Sequence, residues 1–182
     1  RIEYGGQFES AQAASRILFW ATVAALLVIF LLIYGEFRSV PLSAIVMLSL
    51  PLALIGGVLA VLLTSRVVSI PSIIGFITLF GIATRNGMLL ISNYRHLAQQ
   101  GVPVAERVMR GSLDRLNPIL MTALTSALAL IPLVLTGDQP GNEIQSPMAV
   151  VVLGGLLTST LLNIYVMPVI YSRYATRKEI SL

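Results

Sequence analysis

Within an apolar run, the stretch GIATRNGMLL sets a guanidinium, Arg85, beside a carboxamide, Asn86. A second apolar run, RLNPILMTALTSALAL, carries Arg115, Pro118, Thr122, Thr125, Ser126 and Ala129 at helical spacing. These six form a polar or small stripe along one face. Arginine stays protonated at any working pH, so Arg85 cannot shuttle a proton itself. It can set the charge around a group that does. Thr122 and Asn86 are neutral hydrogen-bonding groups suited to orienting a carboxyl or a water beside it.

All eight acids, Glu3, Glu9, Glu36, Glu106, Asp114, Asp138, Glu143 and Glu179, lie outside the apolar cores. Arg85 therefore reads as a buried cation without an ionic partner in its own segment. It stands about eight residues from the inner end of its run, ~12 Å deep at ~1.5 Å per residue. Thr122 reaches a comparable depth, ~9 Å. Holding arginine at the centre of a spanning helix costs ~2.5–3.5 kcal/mol on insertion scales, which marks the residue as functional by default. Its Cβ tilts toward the helix N-terminus, away from the nearer surface, so snorkelling works against the geometry. The expected partner is a carboxylate on a helix outside this sequence. The guanidinium lowers that acid's pKa and burial raises it. An acid so balanced takes a proton from one side of the membrane and releases it to the other, biasing two packing states. Plainer roles stand beside these. They are back-bonding to a carbonyl for Thr122, interhelical hydrogen bonding for Asn86 and a charge anchor for Arg115. Gly81, one turn before Arg85, leaves room for a neighbouring helix.

The elements that must position these groups are membrane helices. Hydrophobic residues make up 56% of the chain and charged residues 11%, against about 25% charged in soluble domains. Mean hydropathy is +0.87. A span needs ~20 mostly apolar residues. Five segments qualify, at about 17–36, 41–64, 71–93, 117–136 and 147–171. Pro41, Pro71, Pro118 and Pro147 stand at or near span starts, where a missing N–H is no loss. Pro51, Pro132 and Pro168 fall inside spans and should kink them. Arg1, Arg16 and Arg66 lie on one side. Arg38, Arg95, Arg107, Arg110, Arg115, Arg173, Arg177 and Lys178 lie on the other. The excess puts the second side, with the C-terminus, in the cytoplasm, and the N-terminus outside. Trp20 falls near the outer interface and Tyr34, Tyr94, Tyr171 and Tyr174 near the inner one, the depth amphipathic aromatics favour. The segment about 103–110 reads as a short cytoplasmic interfacial helix. Residues 1–16 read as a lead-in from an external domain, and 17–182 as the transmembrane domain. The start at Arg1 reads as mid-protein sequence, so a longer polypeptide is expected. The glycine pairs Gly56–Gly57 and Gly154–Gly155 predict close helix approach.

No cysteine is present, which excludes disulfides and thiolate metal sites. His96 is the one histidine, in a polar loop. The six methionines do not cluster convincingly, and methionine in an apolar helix usually packs. No metal site, cofactor site, nucleotide loop or nucleophile–base pair is expected in this sequence. The net charge of +4 reflects topology rather than nucleic-acid binding.

The strings GGQFES, PLALIGGVLA, GFITLFGIATRNGMLLISNY, GSLDRLNPILMTALTSALALIPL, GNEIQSPMAVVVLGGLLTSTLLN and VMPVIY resemble the C-terminal part of RND-type efflux permeases. The fifth string is most similar to the heavy-metal branch, the copper–silver and cobalt–zinc–cadmium permeases. The resemblance implies an all-α membrane fold of twelve spans in two six-span repeats, of which these five are the eighth to twelfth. It implies a proton/substrate antiporter in the bacterial inner membrane, a homotrimer that joins a periplasmic adaptor and an outer-membrane channel. Its substrate would be a heavy-metal cation. In multidrug members the relay uses two aspartates on the fourth span, a lysine on the tenth, and a threonine and an arginine on the eleventh. Arg85 takes the lysine's place, Thr122 the threonine's and Arg115 the arginine's, with Asn86 beside them. The multidrug branch's second arginine, just before the proline, is Asn117 here. Two other readings stay open: a multidrug or lipophile exporter on the same scaffold, and a non-transporting membrane scaffold in which Arg85 only pins helix packing.

Overall fold

The computed structural model describes the backbone of residues 5–64, 68–137, 139–142 and 144–180, with side chains from 12 to 177 inside those ranges. Arg1 and Arg66, used above to orient the chain, lie outside the described residues, as do Asp138, Glu143 and the side chain of Lys178. Six helices and no strands are seen among the described residues: α1 (Gly5–Phe37), α2 (Val40–Met47), α3 (Ser49–Thr64), α4 (Ile70–Gln99), α5 (Val104–Leu135) and α6 (Gln145–Ile180). Five stretches are long and apolar enough to cross a membrane: Gln12–Phe37, Val40–Thr64, Ile70–Gln99, Val104–Leu135 and Gln145–Arg177. The five-span all-α reading is borne out.

Three boundaries differ from expectation, each for a physical reason. Helix α1 already begins at Gly5, so the lead-in over 5–16 is the first part of that helix. The second span is two helices, broken at Leu48. Pro51 cannot donate to the carbonyl of Met47 and its ring crowds that carbonyl, so the interruption falls one turn before the proline. The interfacial helix expected over 103–110 is not separate: it forms the opening turns of α5, which runs unbroken through Pro118 and Pro132. Its anchor is Gly111, where an added Cβ would meet the Tyr94 ring at 2.6 Å. Here α4 and α5 lock together. Asn93 Nδ2 donates to the Gly111 carbonyl at 3.0 Å and the Tyr94 hydroxyl bonds Ser112.

Helix α6 packs against α3, α4 and α5. The glycine pairs make this possible, as expected. A Cβ at Gly56 would meet the Thr158 side chain and the Gly154 carbonyl, and one at Gly154 would meet Ala60. Helix α1 joins the core at its end through Ile33 and Phe37, and Arg95 Nη1 donates to its last carbonyls, Glu36 and Phe37, at 3.2 and 3.3 Å. That is a cation at the negative end of a helix dipole. The aromatics also divide by burial within the protein. Tyr34 is exposed, but Tyr94 and Tyr171 are buried and pack with ring centroids 4.6 Å apart. They belong to the core, because α4 and α6 meet there.

Candidate functional site in the cleft between helices four and five

Helix α4 turns polar over one turn. Thr84 and Asn86 are buried and Arg85 between them is exposed. On α5, Ile119 and Ala123 face the core, which turns the Arg115–Pro118–Thr122 stripe outward beside Arg85. The two helices enclose a cleft of about 50 Å³ lined by Arg85, Asn86, Leu89, Arg115, Ile119 and Thr122, with Pro118. All four residues singled out for a relay thus line one cleft. A second cleft, about 760 Å³, opens beside Ile45, Arg173 and Arg177, and none of the four lines it.

Two details correct the sequence reading. Arg85 is not buried by the chain's own helices: its side chain is exposed on the face of α4 that also carries Gly81. A Cβ at Gly81 would meet nothing within 4 Å. Depth in a membrane and burial in protein are separate quantities, and the sequence reported only the first. Thr122 Oγ1 donates to the Pro118 carbonyl at 2.9 Å, the back-bond common to membrane threonines. Its oxygen lone pairs are left to accept a hydrogen bond.

Among the described residues, neither Arg85 nor Arg115 has a hydrogen bond or an ion pair. Two cations border the cleft without an anion, so it attracts negative charge. Its volume suits one carboxyl group or one to two waters, a water taking ~30 Å³ of liquid. No group of three or more His, Asp or Glu side chains able to hold a metal ion occurs among the described residues.

Some polar chemistry was missed. Ser159, Thr160 and Asn163 on α6 are buried. The spacing in STLLN could have flagged the row, but serine and threonine in a membrane helix pass as back-bonded filler. Arg107, counted above among the cytoplasmic-side charges, is buried, and its Nε and Nη2 donate to the Val102 carbonyl at 3.2 and 2.8 Å.

The sequence model of the AcrB/AcrD/AcrF family matches residues 1–175. The chain belongs to this family. Cobalt-zinc-cadmium resistance protein CzcA of Cupriavidus metallidurans is 40% identical over 179 residues, which is 98% of this chain and 17% of CzcA. Nickel and cobalt resistance protein CnrA of the same organism is 40% identical over 168 residues, 92% of this chain and 15% of CnrA. Among solved structures, a crystal structure titled as that of a heavy metal efflux pump superposes with a TM-score of 0.83 at 36% identity, covering 93% of this chain and 16% of that one. The resemblance to the heavy-metal branch of RND permeases is borne out, and the chain spans only a minor share of these AcrB/AcrD/AcrF relatives' length.

Proposed function

We propose that this chain is the C-terminal transmembrane part of a proton-driven efflux permease that exports heavy-metal cations. Its five spans are the eighth to twelfth of twelve. The N-terminus is periplasmic, the C-terminus cytoplasmic, and residues 1–16 lead in from the periplasmic domain. The intact protein is a homotrimer in the bacterial inner membrane, joined to a periplasmic adaptor and an outer-membrane channel. One observation carries the reading: Arg85, Asn86, Arg115 and Thr122 border a single outward-facing cleft that holds two cations and no acid. A carboxylate from the N-terminal half fits that cleft in charge and size. Deprotonated, it is drawn between Arg85 and Arg115, with Thr122 orienting and Asn86 forming part of the cleft wall. Protonated, it loses the Coulomb attraction, which in a dry site exceeds the water-screened value several-fold. The two protonation states thus favour two helix packings, and the proton gradient drives the cycle between them. The metal preference rests on the relatives named as cobalt, zinc, cadmium and nickel resistance proteins.

The test is the full-length protein in vesicles carrying a pH gradient. Zinc or cobalt ions added on the substrate side should dissipate the gradient and be transported, while lipophilic dyes should do neither. Dye-driven flux without metal-driven flux overturns the metal assignment. No coupled flux with either overturns the transport reading.

Thr122 separates relay from scaffold within the same assay. Thr122→Val should lower metal-driven proton flux at least about tenfold. It should cost under ~1 kcal/mol of stability, since a back-bonded hydroxyl contributes little net. Thr122→Ser should retain flux. Equal flux in Thr122→Val and wild type would leave the Pro118 back-bond as the hydroxyl's only role.

A further inference from the structure

Asn163 is 1% exposed, and neither atom of its carboxamide has a hydrogen-bond partner among the described residues. The hydroxyls of Ser159 and Thr160 are buried and equally unpaired, as is Nδ2 of Asn86. Two packing contacts bracket these groups. A Cβ at Gly155 would strike Leu79, and one at Gly87 would meet Met167 Cε at 3.4 Å. Helices α4 and α6 therefore run parallel, from Leu79 beside Gly155 to Gly87 beside Met167. Asn86 lies within that stretch of α4, and Ser159, Thr160 and Asn163 within that stretch of α6.

An unpaired polar group in an apolar interior costs ~1–3 kcal/mol, and five side chains among the described residues carry one, Thr84 on α4 beside the four named. Their atoms are already enclosed by the chain's own helices, so a side chain from another segment does not reach them without prising the helices apart. The occupant must be small, and the chemistry of the row selects it. The unpaired set contains donors, the amide nitrogens of Asn86 and Asn163, and an acceptor, Asn163 Oδ1. A cation would leave the nitrogens unsatisfied and would sit beside the permanent charge of Arg85. A halide would leave Oδ1 without a donor. Water both donates and accepts, and buried waters typically make about three such bonds.

We propose that Asn163, with Ser159, Thr160 and Asn86, holds ordered water between α4 and α6. Because Asn86 also lines the Arg85 cleft, this water continues the cleft's hydrogen-bond network across α4 to α6. The water site stands on the packing alone. Its consequence for proton movement rests on the relay reading of Arg85.

The experiment is electron cryomicroscopy of the full-length protein in lipid nanodiscs at a resolution that shows ordered water, paired with proton flux in vesicles. Wild type should show density bonded to the Asn163 amide and the α4 side. Asn163→Leu should lose that density, and its thermal stability should fall, because Asn86, Ser159 and Thr160 are left without their water. Its flux should fall roughly two- to tenfold, the size of one lost hydrogen bond. Asn163→Ser should restore both density and flux. Direct bonding of Asn163 to Asn86 or to backbone, with nothing between, overturns the site, and so does the same density retained in Asn163→Leu. Lost density with unchanged flux overturns the link to proton movement alone. Arg85→Ala should keep the density, so failure of the relay reading is read separately from failure of the water site.

Discussion

Arg85→Ala in the full-length protein should abolish metal-driven proton flux and metal export, a loss of at least about a hundredfold, while membrane abundance and thermal stability stay at wild-type levels. The two halves of that expectation come from different facts. Stability is spared because the Arg85 side chain is exposed on α4 and makes no hydrogen bond or ion pair among the described residues. Removing it leaves no hole in the α4–α6 core. Flux is lost because the cleft then keeps only Arg115, at the shallow edge, to attract a carboxylate. At an effective dielectric of ~20, two unit charges 4 Å apart attract by ~4 kcal/mol. Losing a term of that size is ample to erase a bias between two packing states, since ~1.4 kcal/mol is tenfold in an equilibrium. Arg85→Met separates the relay from the scaffold alternative. If the guanidinium only pinned packing, a hydrophobic replacement would be harmless or stabilising with function intact. The relay predicts a stable protein that does not transport. Arg85→Lys keeps the charge but not the planar fork that grips a carboxylate in two places, so partial flux is expected. Full flux from Arg85→Ala would overturn the role outright.

What was legible beforehand follows from which physical signals are local. The spans were legible because ~20 consecutive apolar residues are needed to cross a bilayer, whatever the tertiary structure. The break in the second span was legible as to cause, Pro51. Its position at Leu48 follows from the carbonyl that the proline ring crowds. The grouping of Arg85, Asn86 and Thr122 was legible from their residue types and matching depth, whereas Arg115's place with them was legible only through the family resemblance. The direction in which Arg85 points was not legible. A membrane helix is apolar on its packed and its lipid-facing sides alike, so hydrophobicity does not tell the buried face from the outer one. The same blindness hid the packing of Tyr94 on Tyr171 inside the core and passed over Ser159, Thr160 and Asn163. Small residues were the exception. Glycine in a spanning helix has one strong use, close approach, and both pairs serve it.

That use yields a prediction in which one substitution changes sign with position. Gly→Ala in an exposed helix interior stabilises by about 1 kcal/mol through helix propensity. At Gly35, where an added Cβ would meet nothing within 4 Å, Gly35→Ala should show that gain. At Gly56 the same methyl would run into Oγ1 and Cβ of Thr158 and lie 2.7 Å from the carbonyl oxygen of Gly154. Thr158 is itself tied to that carbonyl by a 3.0 Å hydrogen bond, so neither obstacle can swing aside. The helices must separate. Overpacking by a single methyl group typically costs ~1–3 kcal/mol. Here the moving part is backbone, which places the cost at the upper end and outweighs the propensity gain. Gly56→Ala should therefore lower the unfolding temperature of the purified full-length protein and reduce its abundance, whereas Gly35→Ala should raise or preserve both. Thr158→Ala in the Gly56→Ala background removes one obstacle and leaves the other. It should recover part of the loss, with a coupling of at least ~0.5 kcal/mol in the double-mutant cycle. If Gly56→Ala proves as stable as Gly35→Ala, α3 and α6 do not approach through their glycines. The α6 frame that holds α4 and α5 around the Arg85 cleft would then have to be drawn differently.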